Sequence, residues 1–180
     1  MPPDRATPDL HALVALFYDT PDPLGEFELV EPDAMPEGAA TLLAHENHMT
    51  VTVERFHHSP VDVEVLDKRI TPSHYARKIL LRKQSDSQVV QYGIMRVNFE
   101  YFSDAVRQEI EDESTPLGRI LIQHQVLRDV QLDRLWEIVP GGELRKLFGL
   151  ENNRPVFGRT AIIFCNGEPA IELLEIVTPV

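Results

Sequence analysis

Arginines and glutamates stand where alternating strands call for apolar side chains, and they are the residues most able to do chemistry in this sequence. In YARKILLRK, Tyr75, Arg77, Ile79 and Leu81 share one face of an extended chain, and Ala76, Lys78, Leu80 and Arg82 share the other. Arg77 therefore falls on the more apolar face. A guanidinium buried there without an anion is strongly destabilising, so it needs a carboxylate of the same chain or an anionic ligand. The closing run AIELLEIV poses the question twice. Glu172 shares a face with Ala170, Leu174 and Ile176, and Glu175 shares one with Ile171, Leu173 and Val177. Periodicity alone does not say which glutamate points inward. A carboxylate held in an apolar pocket has its pKa raised and becomes a candidate acid, base or hydroxyl acceptor. Arg159, beside Phe157, Ala161 and Ile163, raises the same issue.

Other chemistry is thin. His45 and His48 have HxxH spacing but fall in an expected loop with no further ligand nearby, and the adjacent His57 and His58 read as surface groups near a turn. The single cysteine, Cys165, allows no internal disulfide and reads as a small buried hydrophobe in IIFCNG. There is no GxSxG elbow, P-loop, dinucleotide GxGxxG or HExxH. STPLGRILI opens a helix, with a hydroxyl at Ser114 or Thr115 as cap and Pro116 at the first position. Gly118 in that first turn costs about 0.5–1 kcal/mol relative to alanine. Either an anion sits against the free N–H groups or close packing demands the glycine. A second PLG, at Pro23-Leu24-Gly25, reads as a turn.

These residues must be positioned by the following elements. Asp9 caps a short helix with Leu10, Leu13, Val14 and Phe17 on one face, after a tail over residues 1–7. EPDAMPEGAATLLAHENH is a long mixed connection of the kind that forms lids and binding loops. MTVTVERF, VDVEVLDKR, YARKILLRK and QVVQYGIMRVNF read as strands. FSDAVRQEIED is a helix capped by Ser103, VLRDVQLDRLWEIV a strand, and GGELRKLFGL a helix stopped at Gly149. The last two strands flank Asn166-Gly167, a strong hairpin signal. Hairpins outnumber strand–helix–strand crossovers, so the expected fold is α+β, one domain over residues 1–180 with a mostly antiparallel sheet and helices packed on it.

Composition narrows the class. The 180 residues are 43% hydrophobic, enough for a core, and carry a net charge of −12. That charge argues against nucleic acid as a partner, since phosphate binding needs a basic surface. No run approaches the about 18 apolar residues of a membrane span, and no signal-type segment opens the chain, so the expected compartment is the cytoplasm.

Four stretches together resemble the chorismate pyruvate-lyase family along nearly the whole chain. PDAM resembles the family's first lid and places Met35, YARKILL its arginine strand and Arg77, STPLGRIL its closest motif and Leu117, and GR…NGEPAIELLEIVTP its final hairpin and Glu175, with Glu172 a poorer match. The resemblance implies a six-stranded antiparallel sheet with an enclosed cavity under two flaps. It implies a lyase that takes chorismate to 4-hydroxybenzoate and pyruvate without metal or organic cofactor, the hydroxybenzoate feeding ubiquinone synthesis or another aromatic route. It further implies that Arg77 and the backbone N–H groups of Met35 and Leu117 grip the ring carboxylate while Glu175 meets the ring hydroxyl, making Arg77 and Glu175 the catalytic pair. Two departures stand out: Pro36 follows the lid methionine, and Ile94 replaces a basic residue after Gly93, with Arg96 two positions on. The alternative reading is a non-catalytic module of the same fold that binds a small aromatic acid. That fold also serves as the effector domain of GntR-type regulators, whose N-terminal winged helix has no room ahead of a strand region beginning near residue 49.

Overall fold

The computed structural model describes residues 7–180, so the expected tail lies outside the described residues except for Thr7. One seven-stranded antiparallel sheet organises the chain. Its strands are β1 (Gly25–Leu29), β2 (Val61–Ile70), β3 (His74–Lys83), β4 (Val89–Asn98), β5 (Arg128–Pro140), β6 (Val156–Cys165) and β7 (Glu168–Val177), in the order β1-β5-β6-β7-β4-β3-β2. The α+β antiparallel architecture is as the sequence implies. The strand beyond six is β1, a short edge strand paired to β5.

Among the described residues six α-helices accompany the sheet: α1 (Leu10–Ala15), α2 (Glu37–Leu43), α3 (Met49–His57), α4 (Asp104–Asp112), α5 (Leu117–Gln123) and α6 (Gly142–Phe148). On one face of the sheet, α1 and α6 bury Leu13, Val14 and Leu144 against Leu80, Tyr92, Ile94, Leu174 and Ile176. On the other, α4 and α5 pack Val106, Ile110, Ile120 and Leu121 over Met95, Val97, Ile171 and Leu173. Beside them, α2 and α3 pack Leu42, Leu43, Met49 and Val53 over Leu81 and Val177. The helices on this second face form two separate clusters, and the space between them matters below.

Local chemistry explains most boundaries. The Asp9 carboxylate accepts from the N–H groups of His11 and Ala12, and the Ser103 hydroxyl accepts from that of Val106. The β6–β7 turn has Asn166 and Gly167 at φ 52° and 83°, the left-handed pair that two-residue hairpins require. Two expectations are corrected. MTVTVERF is not a strand but α3. Its apolar residues fit both periods, and the helical set Met49, Val53 and Phe56 is the one that packs, leaving Val51 exposed. β-branched residues favour strands only weakly, and tertiary packing overrides that preference here. The long connection after β1 is also largely structured, as a 3-10 turn at Pro32–Ala34 followed by α2.

Candidate functional site

The gap between the two helix clusters is a cavity of about 50 Å³, floored by the sheet and roofed by the starts of α3 and α5. Antiparallel register sets the floor. Arg77 in β3 pairs across to Met95 in β4, and Leu81 pairs to Gln91. Between those rows lies a third: Ile79 beside Gly93, then Glu175 in β7, then Arg159 in β6. Alternation sends Lys78, Tyr92, Ile94 and Arg96 to the opposite face. The roof comes from His48, Met49 and Thr50 at the start of α3 and from Pro116, Leu117 and Gly118 at the start of α5.

Arg77 is 1% exposed, and its Nε and Nη1 have no hydrogen-bond partner. Burial lowers its pKa, while the Tyr75 hydroxyl and the Glu113 carboxylate support its charge. Glu113 is itself engaged, accepting from the Tyr75 hydroxyl at 2.7 Å and pairing with Lys68 at 2.9 Å. The buried arginine thus faces the cavity with donors to spare.

Arg159 is fully occupied. Its Nε donates to Glu175 Oε2 at 2.7 Å, its Nη1 to the carbonyl of His45 at 2.8 Å, and its Nη2 to that of Asn47 at 3.1 Å. Arg159 and Glu175 are 0% and 8% exposed. One guanidinium therefore ties the cavity floor to the loop that leads into α3. Glu172 lies on the opposite face and accepts from Arg96 Nε at 2.6 Å. Arg96 accordingly does not stand in for a basic residue after Gly93.

His48 accepts from Arg128 Nε at 2.6 Å through its Nε2 and is therefore neutral. Burial, then the charges of Arg128 and Arg159, push its pKa down to about 4. The charged and titratable groups of the wall thus sum to one net positive charge, on Arg77.

The structure brings Arg77, Leu117 and Glu175 to one cavity but not Met35. The Met35 side chain packs with α2 and α3, and its N–H is engaged by the carbonyl of Pro32 at 3.2 Å. The start of α5 also differs from expectation. Pro116 itself occupies the cap position, and neither Ser114 nor Thr115 caps the helix. Gly118 answers to packing: a Cβ there would lie 3.0 Å from Thr50 Oγ1 and 3.4 Å from the His48 Cβ, so any larger residue at this crossing presses on the start of α3. Sequence reasoning passed over Gln91, which lines the cavity at 3% exposure with its Oε1 unpartnered. Its signal was the one used for Arg77: a polar residue on the same face as Gly93 and Met95.

Burial pushes the Cys165 thiol up to about 11, consistent with an inert packing role. Among the described residues no group of three or more His, Cys, Asp or Glu side chains could hold a metal ion. No helix of the described residues is long and apolar enough to cross a membrane.

The fold is the chorismate lyase-like one also seen in domains of GntR-family transcriptional regulators. Among solved structures, the chain is similar to the effector domain of PhnF from Mycobacterium smegmatis, with 11% identity, 73% of this chain and 88% of that one covered, and a TM-score of 0.54. It is similar to PhnF itself at 11% identity over 73% of this chain, with a TM-score of 0.53, and spans 64% of that protein's length. A GntR-family transcriptional regulator from Bacillus cereus aligns at 10% identity over 66% of this chain and 92% of the other, with a TM-score of 0.46. No protein-family model matches the sequence, and no curated protein matches it.

These neighbours correct two expectations. The chain does not read as a chorismate lyase or as an enzyme of ubiquinone synthesis, because the structures it resembles are effector domains of regulators. The geometry gives a physical reason. The lid N–H expected at Met35 is engaged elsewhere, and the carboxylate expected at the reacting hydroxyl is locked in an ion pair with Arg159. The exclusion of nucleic acid also fails, since the neighbours are domains of DNA-binding regulators. A net charge of −12 speaks only of direct phosphate contact by this chain's own surface.

Proposed function

We propose that this domain is a non-catalytic receptor for a small organic acid with one carboxylate, an effector-binding module in which occupancy rather than turnover is the output. The observation that carries the reading is the unpaired Nε and Nη1 of Arg77 in a cavity wall whose other charges, Arg159 and Glu175, answer each other. Unmet guanidinium donors suit a carboxylate acceptor, and a low-dielectric wall strengthens the contact. Leu117, at the start of α5, lines the same wall. One net positive charge inside favours a monoanion over a phosphate dianion or a dicarboxylate, whose second charge would be buried without a partner. Apolar groups such as Ile79, Ile163 and Leu173 suit a flat hydrocarbon body, as in an aromatic acid. The fold shared with the PhnF effector domain supports binding as the output.

Calorimetric titration with benzoate, 4-hydroxybenzoate, phthalate and inorganic phosphate tests this. The monocarboxylates should bind, and Arg77→Met should weaken them at least about 100-fold, since charge-assisted hydrogen bonds contribute roughly 1.5–3 kcal/mol each. Unchanged affinity in the variant, or a preference for phosphate, would remove Arg77 from a carboxylate site.

A further inference from the structure

We infer, resting on the carboxylate reading of Arg77, that the acid is elongated: a monocarboxylic acid whose uncharged hydrocarbon chain crosses the sheet from Arg77 and ends in a separate groove beside the start of β5.

The shape of the cavity comes first. Six neighbouring strands supply its floor, from Val63 in β2 through Arg77, Gly93, Glu175 and Ile163 to Val130 in β5. Adjacent strands lie about 4.8 Å apart, so the backbones of Arg77 and Val130, four strand steps from each other, are separated by about 19 Å. A void of about 50 Å³ drawn out along that path is a narrow slot. Such a volume holds a carboxylate and only the first part of a hydrocarbon body, so the remainder of any longer acid continues across the sheet.

The slot does not end at Val130. Val130 and His48 also line a second hollow, a groove of about 590 Å³ that is open to solvent. The two spaces adjoin across a rim where His48 accepts from Arg128 Nε at 2.6 Å. On the outer side of that rim the groove is bordered by Ile122, from the end of α5, and by Leu127, from the connection into β5. These side chains are 39% and 74% exposed. Large apolar groups left in water beside the mouth of an apolar slot gain from being covered, and a chain emerging between them covers them.

Charge sets the nature of the chain's end. Glu46 and Asp129 line the groove with a single cation, Arg128, whose Nε and Nη1 already donate to His48 and to the carbonyl of Val126. Two acidic groups against one basic group leave this end net negative, which favours an uncharged end over a second carboxylate. The arginine side chain spans about 6 Å of the distance from Arg77, and an unbranched chain of about ten carbons spans most of the rest at about 1.25 Å per bond.

The test is calorimetric titration of the full chain with butanoate, decanoate and decanedioate, decanoate being kept below its micelle-forming concentration. Wild type should bind decanoate at least about 30-fold more tightly than butanoate, and at least about tenfold more tightly than decanedioate. The double change Ile122→Ser with Leu127→Ser, at two exposed positions, should narrow the decanoate-to-butanoate ratio at least about fivefold while thermal unfolding of the free protein stays within a few degrees. Arg77→Met should lose decanoate at least about 100-fold. Butanoate and decanoate bound equally well by wild type would overturn the inference while leaving the carboxylate receptor standing. A ratio unchanged in I122S/L127S would overturn it by placing the chain elsewhere, and decanedioate bound as tightly as decanoate would overturn the uncharged end by giving Arg128 a second carboxylate. Decanoate affinity retained in R77M would reduce the binding to a surface apolar contact and overturn the inference as well. Failure of wild type to bind any monocarboxylate, benzoate included, would overturn both the elongated ligand and the receptor reading beneath it.

Discussion

Replacing Arg77 by methionine should make the ligand-free protein more stable while abolishing its capacity to bind an acid. Arg77 is 1% exposed and keeps two guanidinium N–H positions without a partner. Each buried unsatisfied polar group costs about 1–3 kcal/mol, and groups carrying charge cost more. Methionine retains the apolar stem of arginine, removes both orphaned donors and packs readily into an irregular apolar wall. Against this stands the loss of the favourable field from Tyr75 and Glu113, of which Glu113 is already paired with Lys68. The balance is a gain of about 1–3 kcal/mol in unfolding free energy, by comparison of the costs of buried polar groups with those of apolar replacements. For a chain of this size a kcal/mol moves the midpoint by about 2–4 °C, so thermal unfolding should rise by roughly 2–12 °C. The assay is urea and thermal denaturation of wild type and R77M, each unfolded and refolded beforehand to strip any carried ligand, with benzoate titration in parallel. A loss of more than about 1 kcal/mol in ligand-free R77M would refute the reasoning. Arg77 would then be a structural cation whose partners satisfy it, and the cavity would have no spare charge to offer.

Arg159→Met should behave in the opposite way, destabilising by about 3–5 kcal/mol because it leaves Glu175 buried without its cation, whereas R159M/E175L should recover most of that loss. Equal denaturation midpoints for the single and double variants would show that the two side chains are not coupled. His48 is held neutral with a pKa near 4, against about 6.5 in the unfolded chain. The folded state binds fewer protons between those values, so His48's contribution, up to about 3 kcal/mol, is present above pH 6.5 and lost as pH falls to about 4. His48→Gln should flatten that part of the stability–pH curve measured in urea, and an unchanged slope would exclude His48. Gly118→Ala should destabilise by about 1 kcal/mol despite the better helix propensity of alanine, because its Cβ would press on Thr50, and the further change Thr50→Ala should relieve it. Additive losses in the double variant would count against that contact.

Much of the architecture was legible because the antiparallel sheet writes its period directly into the chain. VDVEVLDKR, YARKILLRK and AIELLEIV alternate cleanly, and Asn166-Gly167 specifies its own turn. The failures share a cause. MTVTVERF satisfies a period of two and a period of 3.6 about equally, and only its packing against α2 and the sheet decides between them. Met35 fails differently. A backbone N–H is free or engaged according to the local turn, and the 3-10 turn that engages it depends on Pro32, three residues earlier.

The harder limit concerns charge. Arg77, Arg159 and Glu175 all break alternation in the same way, and all three prove buried on one cavity wall. Their roles diverge because of partners that lie far away in sequence. Arg159 meets Glu175 only because β6 and β7 pair in a register that sets those two residues opposite one another. It meets the carbonyls of His45 and Asn47 only because the loop before α3 crosses over the sheet. Arg77 sits in an equally apolar row, but its cross-strand neighbour in β4 is Met95, which offers no acceptor. Pattern-breaking in a single strand thus identifies a buried charge without saying whether the fold has already answered it. The distinction lies in inter-strand register. In this chain register neutralises one arginine with a glutamate and sets the other opposite a methionine.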